Sequence, residues 1–186
     1  MPPWFDEPGL HMFMQLIEGA NRYVEYGCGG STRVALSQSN AQIFAVDSSS
    51  EWVAKVRADA AAPRERLDVE FIDLGPLGDW GAPLGYSHRR NFRSYIQSPW
   101  RRTDTADLVL IDGRFRVATF CCSMLHCPPG TVVLFDDYSE RPEYHVIEEC
   151  VKPEMFAGRM AKFVVPQQRD RDCLERMMDE FIMVWQ

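Results

Sequence analysis

The alternation of strand patterns with helix patterns is the feature that most constrains the fold of this chain. Two apolar runs, Leu108–Ile111 and Thr131–Phe135, are continuous, which is typical of strands that helices bury on both faces. The run Leu67–Ile72 instead alternates apolar and acidic residues, which predicts a strand near the edge of the sheet. Further strands are predicted at Arg22–Tyr26, Gln42–Asp47 and Met160–Val165.

Apolar residues recur at helical spacing between these strands. Helices are predicted around Leu10–Ile17, at Ser31–Ser39, from the capping box of Ser48 and Glu51 to about Ala60, around Ala118–Leu125, at Glu143–Val151 and around Leu174–Phe181. The tail Ile182–Trp185 fits either a short last strand or simple packing. Strands that alternate with helices indicate an α/β fold with a mostly parallel sheet covered on both faces.

Size and composition are those of an ordinary globular protein. The chain has 186 residues, of which 46% are hydrophobic and 25% are charged, so we expect a single domain over residues 1–186. The net charge of −7 disfavours a nucleic-acid or membrane-surface binder. Charged residues interrupt the first 20 positions, unlike a signal peptide, and the six cysteines form no C-x-x-C pair. We therefore expect reduced thiols and a cytoplasmic location.

An acidic residue stands at the carboxyl end of each of the first five predicted strands. In chain order these residues are Glu25, Asp47, Asp73, Asp112 and the pair Asp136-Asp137. Parallel strands place their carboxyl ends at one edge of the sheet, where ligands of such folds bind. A single aspartate there is often a turn or cap residue, but grouped carboxylates repel one another unless a cation or hydrogen-bond donors offset them.

The segment 23–32, YVEYGCGGST, contains the most informative loop. Glycines after the first strand let a ligand approach the backbone and leave the start of the next helix open to a negative group. A G-x-G-x-x-G dinucleotide fingerprint would need glycine where Thr32 stands. An acid two residues before the first glycine does not belong to that fingerprint either.

This loop resembles the first motif of class I S-adenosylmethionine-dependent methyltransferases, which reads acid-x-Gly-x-Gly-x-Gly. Glu25, Gly27 and Gly29 match the motif, and Ser31 replaces its third glycine. The resemblance implies a Rossmann-like, doubly wound sheet with strand order 3-2-1-4-5-7-6.

The same resemblance implies S-adenosylmethionine as the cofactor and assigns residues to it. The cofactor-binding residues would be Glu25, Gly27, Cys28, Gly29, Ser31, Asp47, Ser48 and Asp73. In the family the loop surrounds the methionine part, the acid at Asp47 takes both ribose hydroxyls, and the acid at Asp73 lies near the adenine. A carboxylate suits both partners, because it offers several acceptor positions.

The runs DLVLIDG (107–113) and PGTVVLFDDY (129–138) resemble metal-dependent O-methyltransferases of the macrocin and catechol type. In those proteins an aspartate after the fourth strand and an acidic pair after the fifth surround Mg²⁺. The matching residues are Asp112, Asp136 and Asp137, so the resemblance implies a magnesium site formed by these three and a catalytic role for Asp112. The alternative is that Asp136-Asp137 only caps a turn before Tyr138.

The residue at position 114 differs from that of the sugar-modifying members of the family. In those proteins an acid two residues after the first metal-binding aspartate can act as the base. Here this residue is Arg114, which we interpret as a substrate contact, so the base is unassigned. The run DLVLIDGRFRVA is also similar to a small methyltransferase-like family of uncharacterised function.

An insertion at about residues 75–104 is rich in arginine and aromatic residues. It fits a lid that receives an anionic or planar group, or a solvated loop whose arginines pair with surface acids. His88, within it, is a candidate general base.

The leading hypothesis is methyl transfer from S-adenosylmethionine to an oxygen of a small molecule, with an anionic substrate as one option. The alternatives are a cofactor-binding regulatory module without activity and a nicotinamide-dependent oxidoreductase, which Thr32 and Glu25 disfavour. A nucleic-acid N-methyltransferase is disfavoured because its Asp/Asn-Pro-Pro-aromatic tetrad is absent at 112–115. We expect no membrane partner, and the oligomeric state stays open, a dimer included.

Overall fold

A computed structural model of the chain describes residues 3–59 and 64–185. The strands are β1 (Arg22–Tyr26), β2 (Gln42–Asp47), β3 (Leu67–Phe71), β4 (Leu108–Ile111), β5 (Val132–Phe135), β6 (Met155–Ala157) and β7 (Met160–Val164). The helices are α1 (Glu7–Glu18), α2 (Gly30–Gln38), α3 (Ser50–Ala58), α4 (Phe92–Gln97), α5 (Arg116–His126) and α6 (Arg171–Phe181).

The strands form one sheet in the order β3-β2-β1-β4-β5-β7-β6. Strands β1 to β5 pair in parallel, whereas β7 runs antiparallel to β5 and to β6. The predicted α/β fold, its strand order and the edge position of β3 are thus confirmed.

Helices cover the sheet on both faces, and the core is divided accordingly. One side chain cluster centres on α5 and includes Phe120, Phe135 and Phe163, while another packs Phe13 and Ile17 of α1 against the sheet. All four residues of β4 are buried, as its continuous apolar run predicts.

Helix starts are set by single side chains. Asp6 accepts a hydrogen bond from the Gly9 amide at 3.0 Å and caps α1. The cap of α3 is Ser49, whose hydroxyl accepts from the Trp52 amide at 3.3 Å, so the predicted capping box on Ser48 is wrong by one residue. Ser48 instead donates to the carbonyl of Gly81. The predicted end of this helix, near Ala60, lies outside the described residues.

The second half departs from the sequence prediction in two elements, and it decides between the two alternatives for the tail. The segment Pro142–Glu149 is a 3-10 helix rather than an α-helix. The strand β6 has only three residues, two of them exposed, and is too short for its pattern to predict it. The tail forms no strand; Trp185 packs edge-on against Tyr86 with 4.6 Å between ring centroids.

Cys150 and Cys173 form a disulfide between the end of the 3-10 segment and α6. The expectation of reduced thiols is therefore wrong for these two residues, and it holds for the free, buried Cys28, Cys121, Cys122 and Cys127. Within residues 3–59 and 64–185, no helix has the length and apolar character to cross a bilayer.

Candidate cofactor and active site

The carboxyl ends of β1 to β5 lie at one edge of the sheet, and the candidate site is built from the loops that leave them. Register pairs the last residues of neighbouring strands, such as Tyr26 with Ile111 and Ile111 with Phe135. The acids that follow these strands are therefore gathered along this edge.

Glu25 is fully buried below the glycine loop rather than exposed at the edge of the sheet. Its carboxylate accepts hydrogen bonds from the hydroxyls of Tyr23 at 2.8 Å, Ser31 at 2.9 Å and Thr32. Burial raises the pKa of Glu25 to about 7, although these three donors lower it. The acid of the motif thus ties the start of α2 to β1 and fixes the loop between them.

Gly27 brings the loop against the segment after β4. Its φ of +88° lies in the left-handed region, and an added Cβ would lie 2.9 Å from the carbonyl oxygen of Asp112. Gly113 is equally constrained, because a Cβ there would lie 2.3 Å from the Tyr95 hydroxyl and 2.8 Å from the Gly27 nitrogen. The two glycines therefore allow the floor of the site to close between β1 and β4.

Asp47 holds the same loop from the side of β2. One carboxylate oxygen accepts from the Cys28 amide at 2.8 Å and the other from the Ser49 amide at 2.7 Å. Gly29, which precedes α2, donates its amide to the Thr32 hydroxyl at 2.9 Å. Each oxygen of Asp47 keeps a lone pair, so the carboxylate can still accept from a diol.

Asp73 is exposed at the end of β3 and accepts from the Gly75 amide at 2.8 Å. His88 lies next to it, with 3.5 Å between its Nε2 and the Asp73 carboxylate. Since β2 and β1 separate β3 from β4, the structure does not bring His88 to Asp112.

Asp112, Asp136 and Asp137 come together as the spacing predicts, but arginines fill the space among them. The Arg116 guanidinium is buried, donates to Asp112 at 3.1 Å and lies 3.2 Å from Asp137. Arg159 contacts both oxygens of Asp136, at 3.2 and 3.1 Å, and one oxygen of Asp137 at 3.1 Å. Burial raises the pKa of Asp112 to about 7, while Arg116 lowers it and the two other aspartates raise it.

The residues present do not fit a magnesium ion. Mg²⁺ needs carboxylate oxygens converging on it at about 2.0–2.1 Å, with waters in the remaining positions. Guanidinium nitrogens of Arg116, Arg159 and Arg141 already contact these carboxylates, the last at 3.1 Å from Asp137. Three positive charges balance three negative charges, and within 3–59 and 64–185 no cluster of metal-ligating side chains is arranged to hold an ion.

Arg114 differs from these arginines. Its amide donates to the Tyr95 hydroxyl at 3.2 Å, but its half-buried guanidinium makes no ion pair or hydrogen bond within the described part of the chain. Burial raises the pKa of both Asp47 and Asp112, and the charge of Arg114 lowers it, so the guanidinium acts on the carboxylates at the ends of β2 and β4. Burial, followed by the charge of Arg116, lowers the pKa of Arg114 itself.

Sequence reasoning missed the arginines that neutralise the aspartates. Two of them carried a usable signal, because Asp112–Arg116 and Asp137–Arg141 are each four residues apart. Arg159 carried none, since it lies in the turn between β6 and β7.

Most arginines of the insertion pair with surface acids, as the simpler of the two interpretations predicts. Arg93 contacts Asp179 at 2.8 Å, and Arg102 contacts Asp68 at 2.8 Å and donates to the Ala45 carbonyl. A cleft of about 540 Å³ beside Arg102 lies near the amino ends of β1 and β2, away from the glycine loop.

Comparison with solved structures identifies the family. A methyltransferase-like protein from Silicibacter pomeroyi is 30% identical over 98% of both chains, with a TM-score of 0.85. The chain belongs to the class I S-adenosylmethionine-dependent methyltransferase family. No protein-family model and no curated protein matches its sequence.

More distant solved structures share the fold of this methyltransferase family member. The O-methyltransferase from Bacillus cereus, in complex with SAH, is 19% identical over 96% of this chain and 71% of its own, with a TM-score of 0.52. The MycE methyltransferase of the mycinamycin pathway, in complex with Mg and SAH, is 18% identical over 86% of this chain and 44% of its own, with a TM-score of 0.50.

Proposed function

We propose that the protein transfers a methyl group from S-adenosylmethionine to an oxygen of a small molecule. The observation that carries the proposal is the glycine loop held between Glu25 and Asp47 at the carboxyl end of β1. In a chain of this family, that loop is where the cofactor is expected.

The residues around the loop fit the cofactor. Gly27 and Gly113 keep side-chain atoms out of the floor, where a Cβ would meet backbone within 3 Å. Asp47 offers acceptor positions for the ribose hydroxyls, and Ser48 lies directly beside it. Asp73, exposed after β3, is the candidate neighbour of the adenine.

The cofactor supplies an electrophilic methyl group: the bond from sulfur to methyl carbon breaks as the bond to the substrate oxygen forms, and the hydroxyl proton leaves. Asp112 is the candidate acceptor of that proton, because its Oδ1 faces Arg116 while its Oδ2 accepts no hydrogen bond from the described residues. Arg116 holds the carboxylate in place at 3.1 Å. We propose that this transfer proceeds without Mg²⁺, since arginines occupy the contacts a metal would need.

Calorimetry with SAH tests the cofactor site. We expect wild-type protein to bind SAH, and Asp47→Ala to weaken binding at least tenfold, because the loop and the ribose both lose an acceptor. Asp104→Ala is the control, since Asp104 is 96% exposed beside Arg22 at the opposite end of the sheet. Wild-type protein that fails to bind SAH would overturn the proposal.

A transfer assay then separates the enzyme from a binding module without activity. We expect labelled methyl from S-adenosylmethionine to appear on hydroxylated small molecules, and Asp112→Asn to reduce the rate while SAH still binds. Binding without transfer to any acceptor would favour the regulatory module. Partners other than small molecules, among them nucleic acid and membranes, are not part of the proposal, and a cytoplasmic location remains a prediction.

A further inference from the structure

We propose that the methyl acceptor is a small aromatic acid, whose anionic group binds Arg114 and whose ring lies under Trp4 and Trp80. This inference rests on the proposed function and names the substrate class of the same site. Two independent features carry it: a guanidinium that forms no hydrogen bond or ion pair with the described residues, and an exposed pair of indole rings.

The guanidinium of Arg114 is prepared for an anion. It is half-buried, so part of its hydration is lost. The charges of Asp47 and Asp112 act on it, yet no described residue forms a hydrogen bond or ion pair with it. Its neighbours Arg116 and Arg159, by contrast, each make several contacts with carboxylates. A planar guanidinium pairs with a carboxylate through two parallel hydrogen bonds, which suits an aromatic acid.

The ring pair spans the two sides of the site. Trp4 and Trp80 meet edge to face, with 5.5 Å between ring centroids. The Trp4 carbonyl accepts from Arg159, which binds the aspartates after β5, while Trp80 precedes Gly81, whose carbonyl accepts from Ser48 after β2. Strands β1 and β4 lie between β2 and β5, so the ends of β2 and β5 are about 14 Å apart. The charge of Arg114 acts on Asp47, at the β2 side of this interval.

The indole rings of Trp4 and Trp80 are exposed to solvent, which is unfavourable for large apolar side chains. Trp4 is 65% and Trp80 75% exposed, although indoles are among the side chains that gain most from burial. Trp80 also has φ of +58°, in the left-handed region that is unfavourable for a residue with a side chain. Strain of this kind is concentrated at ligand clamps, and a planar ring is the ligand that indoles stack against best.

Calorimetry with matched probes tests the proposal in the presence of saturating SAH. The probes are a panel of hydroxybenzoates, with 4-hydroxybenzamide as the uncharged analogue and 4-hydroxycyclohexanecarboxylate as the non-planar one. We expect at least one hydroxybenzoate to bind at least tenfold more tightly than both analogues. A panel in which no acid binds, or in which acid and amide bind equally, would overturn the proposal.

Variants assign the two contacts. Arg114→Met is expected to lower the affinity for the hydroxybenzoate at least tenfold and to remove the preference for the acid over the amide. Arg22→Met, at the opposite end of the sheet, should change neither the affinity nor the preference. Trp80→Ala is expected to remove the advantage of the aromatic over the saturated acid. Leu84→Ala is its control, since Leu84 is 71% exposed in the same insertion.

Two further results separate this inference from the function it rests on. Loss of SAH affinity in Arg114→Met, with the acid unaffected, would show that the guanidinium serves the carboxylate of the cofactor, and the substrate proposal would fail. Absence of SAH binding in the wild type, measured without any acid, would instead overturn the proposed methyl transfer.

Discussion

The carboxylate of Glu25 is completely buried, and hydroxyl donors surround it. The sequence predicts an acid at this place in the motif, but not that it faces inward, because the positions of Tyr23 and Thr32 depend on how α2 packs on β1. What looks in sequence like a ligand contact is in the structure a support for the loop. Asp47, one strand away, carries both tasks, since its oxygens hold the loop and remain available to a ligand.

The raised pKa of Glu25 predicts a pH dependence of stability. Between its ordinary value of 4.5 and about 7, the folded protein retains a proton that the unfolded chain releases, so stability falls as the pH rises. From pH 5 to pH 8, the unfolding free energy of wild type relative to Glu25→Gln should therefore fall by about 2–3 kcal/mol. Urea unfolding at several pH values measures it, with exposed Glu18→Gln as control. A difference independent of pH would contradict the assignment.

Gly113 permits the close approach of the loops after β1 and β4. Gly113→Ala should lower the unfolding free energy by about 1–3 kcal/mol, because its Cβ meets the Tyr95 hydroxyl and the Gly27 nitrogen. It should also lower the affinity for SAH at least tenfold in calorimetry, because the added Cβ displaces the glycine loop. Gly19→Ala, where a Cβ meets nothing within 4 Å, is the matched control. Equal SAH affinity in both variants would show that this contact does not shape the site.

At the scale of elements, the central strands were predictable and the last ones were not. Continuous apolar runs identify β4 and β5, because strands buried on both faces must be apolar throughout. Strand β6 has three residues and forms a hairpin with β7, so its pairing partner, rather than its own pattern, determines it. The disulfide was equally hidden, since spacing alone does not say which cysteines meet.

The disulfide joins the 3-10 segment Pro142–Glu149 to α6 and closes a loop of 23 residues. A Cys150→Ser, Cys173→Ser double variant should be less stable by about 3 kcal/mol in urea unfolding, mainly because its unfolded chain is less restricted. A reductant should destabilise the wild type by a similar amount and leave the double variant unchanged. Wild-type protein that is indifferent to reductant would show that the bond does not form in solution.

At the scale of the whole molecule, one end of the sheet brings together residues from the entire chain. The family resemblance supplies the strand order, and the local pattern of the strand ends supplies the acids. The balance of charge at the cluster follows from neither, because Arg159 reaches Asp136 from 23 residues away and from another strand pair. A sequence-based assignment of a metal therefore needs the cations of the fold as well as its anions.

Arginine in place of a metal predicts indifference to magnesium. Millimolar Mg²⁺ or EDTA should change neither the melting temperature nor the SAH affinity of the wild type, because guanidinium groups already neutralise the cluster. Arg116→Met should lower the free energy of unfolding by about 3–5 kcal/mol, and Mg²⁺ should restore part of that loss. A saturable stabilisation of the wild type by Mg²⁺ that Asp136→Asn abolishes would contradict this prediction.

The bond from Arg159 to the Trp4 carbonyl joins residues 155 positions apart. During synthesis, the segment around Trp4 leaves the ribosome long before its partner exists, and parallel strands that pair over long distances also form slowly. The Trp4 carbonyl thus has no hydrogen-bond donor until the β6–β7 turn has been translated. A nascent chain stalled before that turn would leave the segment before α1 without this bond while most of the sheet is already present.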